Sequence, residues 1–319
     1  MRSRIYKTLL IVLSTGIIGS AEPEIRRGLQ TELCRWDSAV NAGQLDPVIV
    51  NEASGIAISD DLSDRLYHIN DSGDSGRFYV TDFSGGATQI VNVDSFEPTD
   101  VEDLALGECG TVTGTCLFIA DIGDNARVRD QIEVVLVREQ EQFGDRVVPV
   151  DRIRLRYPDG ANDAESLAVH PNGDLFIVSK GADYSLLTVS PSKIYRLPLE
   201  RRLGANGQVQ ELDWLGEVDF TDISTDTFSG SLPTAFDISS DGSRFLMLTY
   251  VNAFEFYMDL AESGLPVTED LVDGVDFREI PLEVLIQQES IAYMGENAFL
   301  YNTEAVDGTA RIMRVRCRL

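Results

Sequence analysis

Five segments of this chain repeat one local pattern: a small or acidic residue, an alternating apolar run, a tight turn, and a second strand-like run. They begin at Ser54-Gly55-Ile56-Ala57-Ile58, Glu102-Asp103-Leu104-Ala105-Leu106, Glu165-Ser166-Leu167-Ala168-Val169, Thr234-Ala235-Phe236-Asp237-Ile238 and Glu289-Ser290-Ile291-Ala292-Tyr293. The second runs are Arg65 to Asn70, Cys116 to Asp121, Asp174 to Ser179, Arg244 to Tyr250 and Ala298 to Asn302. Turns such as Pro171-Asn172-Gly173 and Ser240-Asp241-Gly242 supply the positive φ that a tight hairpin requires. A third and a fourth strand-like stretch follow most pairs, the fourth ones at Thr88 to Val93, Arg152 to Tyr157, Gln208 to Val218 and Phe277 to Pro281.

A unit of four antiparallel strands, repeated around a ring, is a β-propeller blade. The repeats start 48, 63, 69 and 55 residues apart, which implies long loops. The expected fold is all-β: a propeller of five four-stranded blades, with six as the alternative if one of the longer intervals hides a weak repeat. After Glu289 only three strands fit, so a strand near the mature N-terminus, Glu32 to Trp36, is expected to complete the last blade and close the ring.

Upstream of the repeats, Arg2, Arg4 and Lys7 precede the apolar run Leu9 to Ile18 and the small residues Gly19-Ser20-Ala21, the layout of a secretory signal peptide over residues 1–21. Residues 22–319 are then one propeller domain, secreted or periplasmic, with no membrane span in the mature chain. The four cysteines allow three pairings. Their positions favour Cys109–Cys116 across a short loop and Cys34–Cys317 between the ends. Net charge is −27 over 319 residues, and losing the leader's three bases takes it to −30. Such a field disfavours nucleic acid and favours cations.

In an antiparallel meander the start of the first strand and the end of the second lie at one end of the sheet. The starts carry Glu52, Asp100, Glu102, Asp163, Glu165 and Glu289; the ends carry Asp71, Asp121, Asp124, Asn125, Lys180, Tyr250 and Glu304. Acids crowded at one mouth call for a compensating cation, and oxygen ligands suit Ca²⁺. The expected metal ligands are Glu102, Asp121, Glu165 and Glu289, with Asp71 and Asp124 as outer members. The competing expectation is structural: acids that bond neighbouring amides and hold blades in register. Gly73-Asp74-Ser75-Gly76 with His68 nearby echoes a serine nucleophile, but a hairpin loop accounts for the letters. His170 is expected on the surface at the opposite end.

The strings Asp163-Ala164-Glu165-Ser166-Leu167-Ala168, Asp121-Ile122-Gly123-Asp124-Asn125 and Ser240-Asp241-Gly242-Ser243-Arg244 resemble bacterial secreted propellers of the broad TolB-like group and, more distantly, phytase-like and gluconolactonase-like propellers. In phytase-like propellers an acidic channel holds calcium that binds phosphate and activates water, roles the resemblance carries to Glu102, Asp121 and Glu165. This chain lacks the dense Lys and Arg set expected around a polyphosphate. Where lactonase-like chains open with Glu-Gly-Pro, Glu52 is followed by Ala53-Ser54-Gly55. The expectation is an exported binding or interaction propeller with a calcium-binding mouth and a small-molecule or protein ligand. The alternative is a metal-dependent hydrolase of phosphoesters or lactones.

Overall fold

Among the described residues the alternating apolar runs pair as five sheets of four or five strands, beside a small two-stranded hairpin of Ala182–Asp183 with Thr188–Val189. The computed structural model describes residues 34–183, 188–224, 228–265, 268–306 and 308–318; the leader expected over 1–21 lies outside them. Blade 1 is built from Ala53–Ile58, Leu66–Asn70, Arg77–Thr81 and Gln89–Val93, and blade 2 from Val101–Glu108, Thr115–Asp121, Ile132–Arg138 and Asp151–Arg156. Blade 3 comprises Ala164–Val169, Leu175–Ser179, Ser192–Leu197 and Asp213–Val218; blade 4 comprises Pro233–Ile238, Phe245–Thr249, Asn252–Phe256 and Phe277–Pro281. Blade 5 contains Gln288–Tyr293, Ala298–Thr303 and Ala310–Arg318.

The period of two assigns each strand's side chains to two different neighbours. Along Thr115–Asp121, Leu117 and Ile119 pack against blade 1, while Cys116, Phe118 and Ala120 pack against blade 3. Along Leu175–Ser179, Leu175 and Ile177 face blade 2, and Phe176 and Val178 face blade 4. Five apolar clusters result, one at each seam, the last joining blade 5 to blade 1 through Leu300, Ile312, Ile56 and Tyr79. Each fully buried side chain contributes about 1.5–3 kcal/mol, and that gain is divided between two seams, so each blade draws its burial from both neighbours. The first strands of consecutive blades touch in turn, and those of blades 5 and 1 close the circle. The ring therefore has five members, and the six-blade alternative is set aside.

Three details differ from the expectation. Blades 1 and 2 each gain a fifth, parallel strand from the next blade, Arg146–Val147 and Gln210–Glu211. The expected strand Gln208–Val218 consequently breaks at Leu212, its first part lying on blade 2 and its second on blade 3. Ring closure uses mainly Val40–Leu45, paired with Ala310–Arg314, and only a short Arg35–Trp36 beyond it. Trp36 turns the chain there, donating to Glu255 Oε2 at 3.0 Å and packing edge-on to Phe299. Both expected disulfides, Cys34–Cys317 and Cys109–Cys116, are present.

Two carboxyls, the buried Asp103 and the half-buried Asp237, clamp seams in the way the structural expectation described, though neither is at the mouth. Asp103 accepts from Leu104 N at 2.7 Å and from Leu167 N of blade 3 at 2.9 Å. Asp237 accepts from Ile238 N at 2.8 Å and from Tyr293 N of blade 5 at 2.7 Å. Asp103→Ala would leave both amides buried without an acceptor, at about 1–3 kcal/mol each. The expected result is a stability lowered by about 2–6 kcal/mol, read as a lower urea midpoint with an unchanged m-value; a loss below about 0.5 kcal/mol would show that the clamp contributes nothing.

His170 corrects the sequence expectation. It lies in the predicted turn, yet it is buried, with Nε2 3.3 Å from Asp259 Oδ1 of blade 4. Gly242, at φ 75°, makes room for it: a Cβ there would come within 2.3 Å of the imidazole. The glycine chosen by a hairpin turn in blade 4 thus admits a side chain of blade 3.

Candidate functional site: an acidic channel mouth

Every blade carries one register shift in the pairing of its first two strands, and the shift falls at the same place in each. The residues left unpaired are Ser54, Glu102, Glu165, Thr234 and Glu289. A bulge re-aims the side chain it displaces. In blades 1 and 4 the displaced hydroxyl donates to the next blade: Ser54 Oγ to Glu102 O at 2.6 Å, and Thr234 Oγ1 to Gln288 O at 2.9 Å. In blades 2, 3 and 5 the displaced residue is a glutamate, and all three are buried.

Just above this ring sit the residues that leave the second strands. Their amides bond back to the residue before the first strand: Asp71 N to Glu52 O, Lys180 N to Asp163 O and Glu304 N to Gln287 O, at 2.8, 3.0 and 3.0 Å. Asp71 thereby becomes the centre of the mouth. Its carboxylate lies within 4.8 Å of those of Asp100 and Glu102 on one side, and of Glu289 and Glu304 on the other. Glu289 and Glu304 hydrogen-bond each other, and Glu289 also accepts from Gln287 Nε2 at 2.9 Å.

Blade 2 supplies the tightest packing. Gly123 lies flat against the acids: a Cβ would fall 2.2 Å from Glu102 Oε1 and 2.5 Å from Asp100 Oδ2. The loop that carries Gly123 folds around Arg129, whose guanidinium donates to Gly123 O at 2.7 Å and to Asp121 O at 3.2 Å and pairs with Asp121 Oδ1 at 2.9 Å. Arg129 N donates to Asp124 Oδ2, and Asp124 N to Asp163 Oδ1. Asp100 is buried to 9% exposure, and its Oδ1 has no hydrogen-bond partner.

Burial is the largest influence on these acids, and mutual repulsion adds to it. Asp100 is pushed up to about 6 by burial and by Asp71 and Asp163. Glu102 is raised well above its ordinary value, by burial and then by Glu165, Asp71 and Asp100. Glu165 and Glu289 are pushed up to about 8, mainly by burial, against the pull of Lys180. Asp71 and Glu304 are also raised, chiefly by burial. Lys180, itself buried, pairs with Glu165 Oε1 at 2.9 Å and lies 5.4 Å from the centre of the Tyr250 ring.

Of the residues singled out from sequence, Asp71, Asp100, Glu102 and Glu289 come together here, with Glu165, Asp163 and Lys180 beside them. Asp121 and Asp124 serve the Arg129 loop, and Asn125 is exposed. Glu52 is exposed near Glu304. Glu304 and Asp71 matter more than their sequence positions suggested; each directly follows a second strand, and that was the available signal. Gly123 was visible only as part of a turn. The Gly73-Asp74-Ser75-Gly76 echo has no catalytic geometry. His68 is fully buried, burial holding its pKa down at about 3, and its ring bonds Thr81 Oγ1 at 3.0 Å and Asn302.

No protein-family model matches the sequence, and no curated protein matches it. Among solved structures, the chain is similar to the PQQ-bound aldose sugar dehydrogenase of Streptomyces coelicolor, at 12% identity and TM-score 0.46 over 89% of this chain and 98% of that one. A gluconolactonase of Xanthomonas campestris gives 11% and 0.46 over 88% and 89%, respectively. A Bacteroides thetaiotaomicron protein of unknown function gives 11% and 0.45 over 88% and 77%. These are distant likenesses that carry no weight for chemistry; the five-bladed assignment stands on the sheets themselves.

Proposed function

We propose that the protein is an exported binding propeller whose channel mouth holds a divalent cation, with Ca²⁺ the best match. The observation that carries this reading is Asp100 Oδ1, a buried carboxylate oxygen without a partner, on a carboxylate that faces those of Asp71 and Glu102. A buried unpaired acid is costly unless it is protonated or bound to a cation. The donor set is all oxygen and comes from separate loops, as a hard, flexible cation prefers. Asp71, Asp100 and Glu102 would hold the ion, with Glu289 and Glu304 on the far side of Asp71. Asp121 and Glu165 are committed to Arg129 and Lys180. When bound, the cation supplies positive charge and free coordination positions toward solvent for an oxygen-bearing ligand.

Export is supported by the leader-like N-terminus and by two disulfides; among the described residues no helix is long and apolar enough to cross a membrane. A hydrolytic reading has one support: burial pushes Glu165 and Glu289 up to about 8 beside the cation ligands, toward the protonated state of a general acid.

Calcium titrated into EDTA-stripped protein should raise its melting temperature, reaching about 2.7 kcal/mol of stabilisation at a hundredfold excess over Kd. Asp100→Asn should keep the fold and weaken that response about tenfold or more. An unchanged melting curve with calcium, magnesium and manganese alike would end the cation reading. Turnover of phosphoester or lactone substrates that returns with the metal would select the hydrolase.

A further inference from the structure

The same face of the ring carries a second surface, at the seam of blades 5 and 1. Three loops meet there, 46–52, 282–289 and 303–306, and they are tied to one another. Ala305 N donates to Asn51 O at 2.9 Å, Glu304 N to Gln287 O at 3.0 Å, and Asn70 Nδ2 to Ile49 O at 3.1 Å. Asp46 Oδ1 caps Val48 N and Ile49 N, and Gln288 Oε1 accepts from Leu285 N. Within this frame, Ile49 and Ala305 turn inward onto the cluster between blades 5 and 1, while Leu282 and Leu285 turn onto the cluster between blades 4 and 5. Their neighbours turn outward: Val48 is 85% exposed, Val284 60%, Ile286 62% and Val306 56%.

Among the described residues these four aliphatic side chains stay largely exposed, yet the loops that present them are pinned by hydrogen bonds. Interleaved with them are Glu52 and Glu283, both exposed, and the half-buried Glu304. None of the three loops contains a lysine or an arginine. Several occupants are thereby disfavoured. An anionic bilayer or a nucleic acid would meet uncompensated acids, and a second copy of this surface would repeat the same charge. A segment that matches both characters carries cations between aliphatic side chains.

We infer that the blade 5–blade 1 seam is a docking surface for a basic polypeptide segment in which Lys or Arg alternates with aliphatic residues. The aliphatic side chains of the segment cover Val48, Ile286 and Val306, and its cations reach Glu52, Glu283 and Glu304. Because the loops are already fixed, little ordering cost falls on the protein side. The inference is independent of the cation reading, with which it shares Glu304.

The test uses the full chain in EDTA and three fluorescein-labelled octapeptides, alternating Leu and Lys, Leu and Glu, or Ser and Lys, followed by fluorescence anisotropy. The Leu–Lys peptide should bind at least about tenfold more tightly than either of the others, since both characters are needed. Combining Ile286→Ser with Val306→Ser should bring it down to the Ser–Lys level without changing the melting temperature. The control pair Val272→Ser and Val275→Ser, exposed at 53% and 59% in a loop at the other end of blade 4, should change nothing. Equal binding of the two Lys peptides, binding of none, or indifference to the Ile286/Val306 pair would overturn the inference. Calcium-dependent melting of the same variants keeps the two readings separate, because loss of peptide discrimination with intact calcium stabilisation sinks only this one.

Discussion

The cation-free protein should become less stable as pH rises from about 5 to about 8, and calcium should restore most of the loss at the upper end. The acids at the mouth fix the sign. Asp100 is raised to about 6 and Glu165 and Glu289 to about 8, with Glu102, Asp71 and Glu304 raised as well. In the unfolded chain the same groups ionise near 4. Between these limits the native state holds more protons than the unfolded state, so stability is full below the unfolded values and is lost as pH climbs through the folded ones. Asp237, pushed up to about 7 by burial, adds in the same direction. One pKa unit corresponds to about 1.4 kcal/mol. A combined loss on the order of 3 kcal/mol lowers Tm by roughly 6–12 °C in a domain of this size. Calcium must displace protons to bind, so its stabilisation should be larger at the alkaline end. Melting curves in EDTA and in calcium at four or five pH values would show both trends. A Tm that is flat or rises toward pH 8 in EDTA would mean that the acids are not buried together.

The second large effect concerns the closure of the ring. Cys34 and Cys317 are 283 residues apart, whereas Cys109 and Cys116 are separated by 7. The chain-entropy account assigns about 5 kcal/mol to a loop of the first size and about 2 kcal/mol to the second. Replacing Cys34 and Cys317 with Ala should therefore remove a large share of a stability that totals about 5–15 kcal/mol in most domains. The corresponding change at Cys109 and Cys116 should cost less than half as much. Urea unfolding of both double variants tests the order. A larger loss from the short-loop pair would show that the terminal bridge does not guard ring closure. Arg278, which donates to Cys34 O at 2.9 Å, and Trp36, bonded to Glu255, would then be the groups that hold the end in place.

Much of the framework was legible in the residues. The second strand of blade 2 was expected over Cys116 to Asp121 and spans Thr115–Asp121; the fourth strand of blade 4 was expected at Phe277 to Pro281 and lies there. Alternation of apolar side chains is a local signal, set by the pleat of a single strand, so it survives without knowledge of neighbours. Gln208 to Val218 failed because its break answers to another blade: Gln210 and Glu211 pair with Leu155 and Arg156, which no pattern within the segment discloses. His170 failed for a similar reason, since the space that buries it is left by Gly242, one blade further on.

The candidate site divides along the same line. Sequence by itself determined that acids stand at the starts of first strands and the ends of second strands, and hence that they gather at one end of the sheets. It also placed five repeats, with a sixth blade left open until the ring was seen to close, and the cysteines that staple it. Only the tertiary structure decided which acids face one another. The bulge that displaces Glu102, Glu165 and Glu289 arises from pairing with a partner strand, and the approach of Asp71 to Glu289 and Glu304 arises from closure of blade 5 on blade 1. Side-chain direction along one strand is a matter of local sterics, whereas proximity across more than two hundred residues depends on how five seams pack into a closed ring.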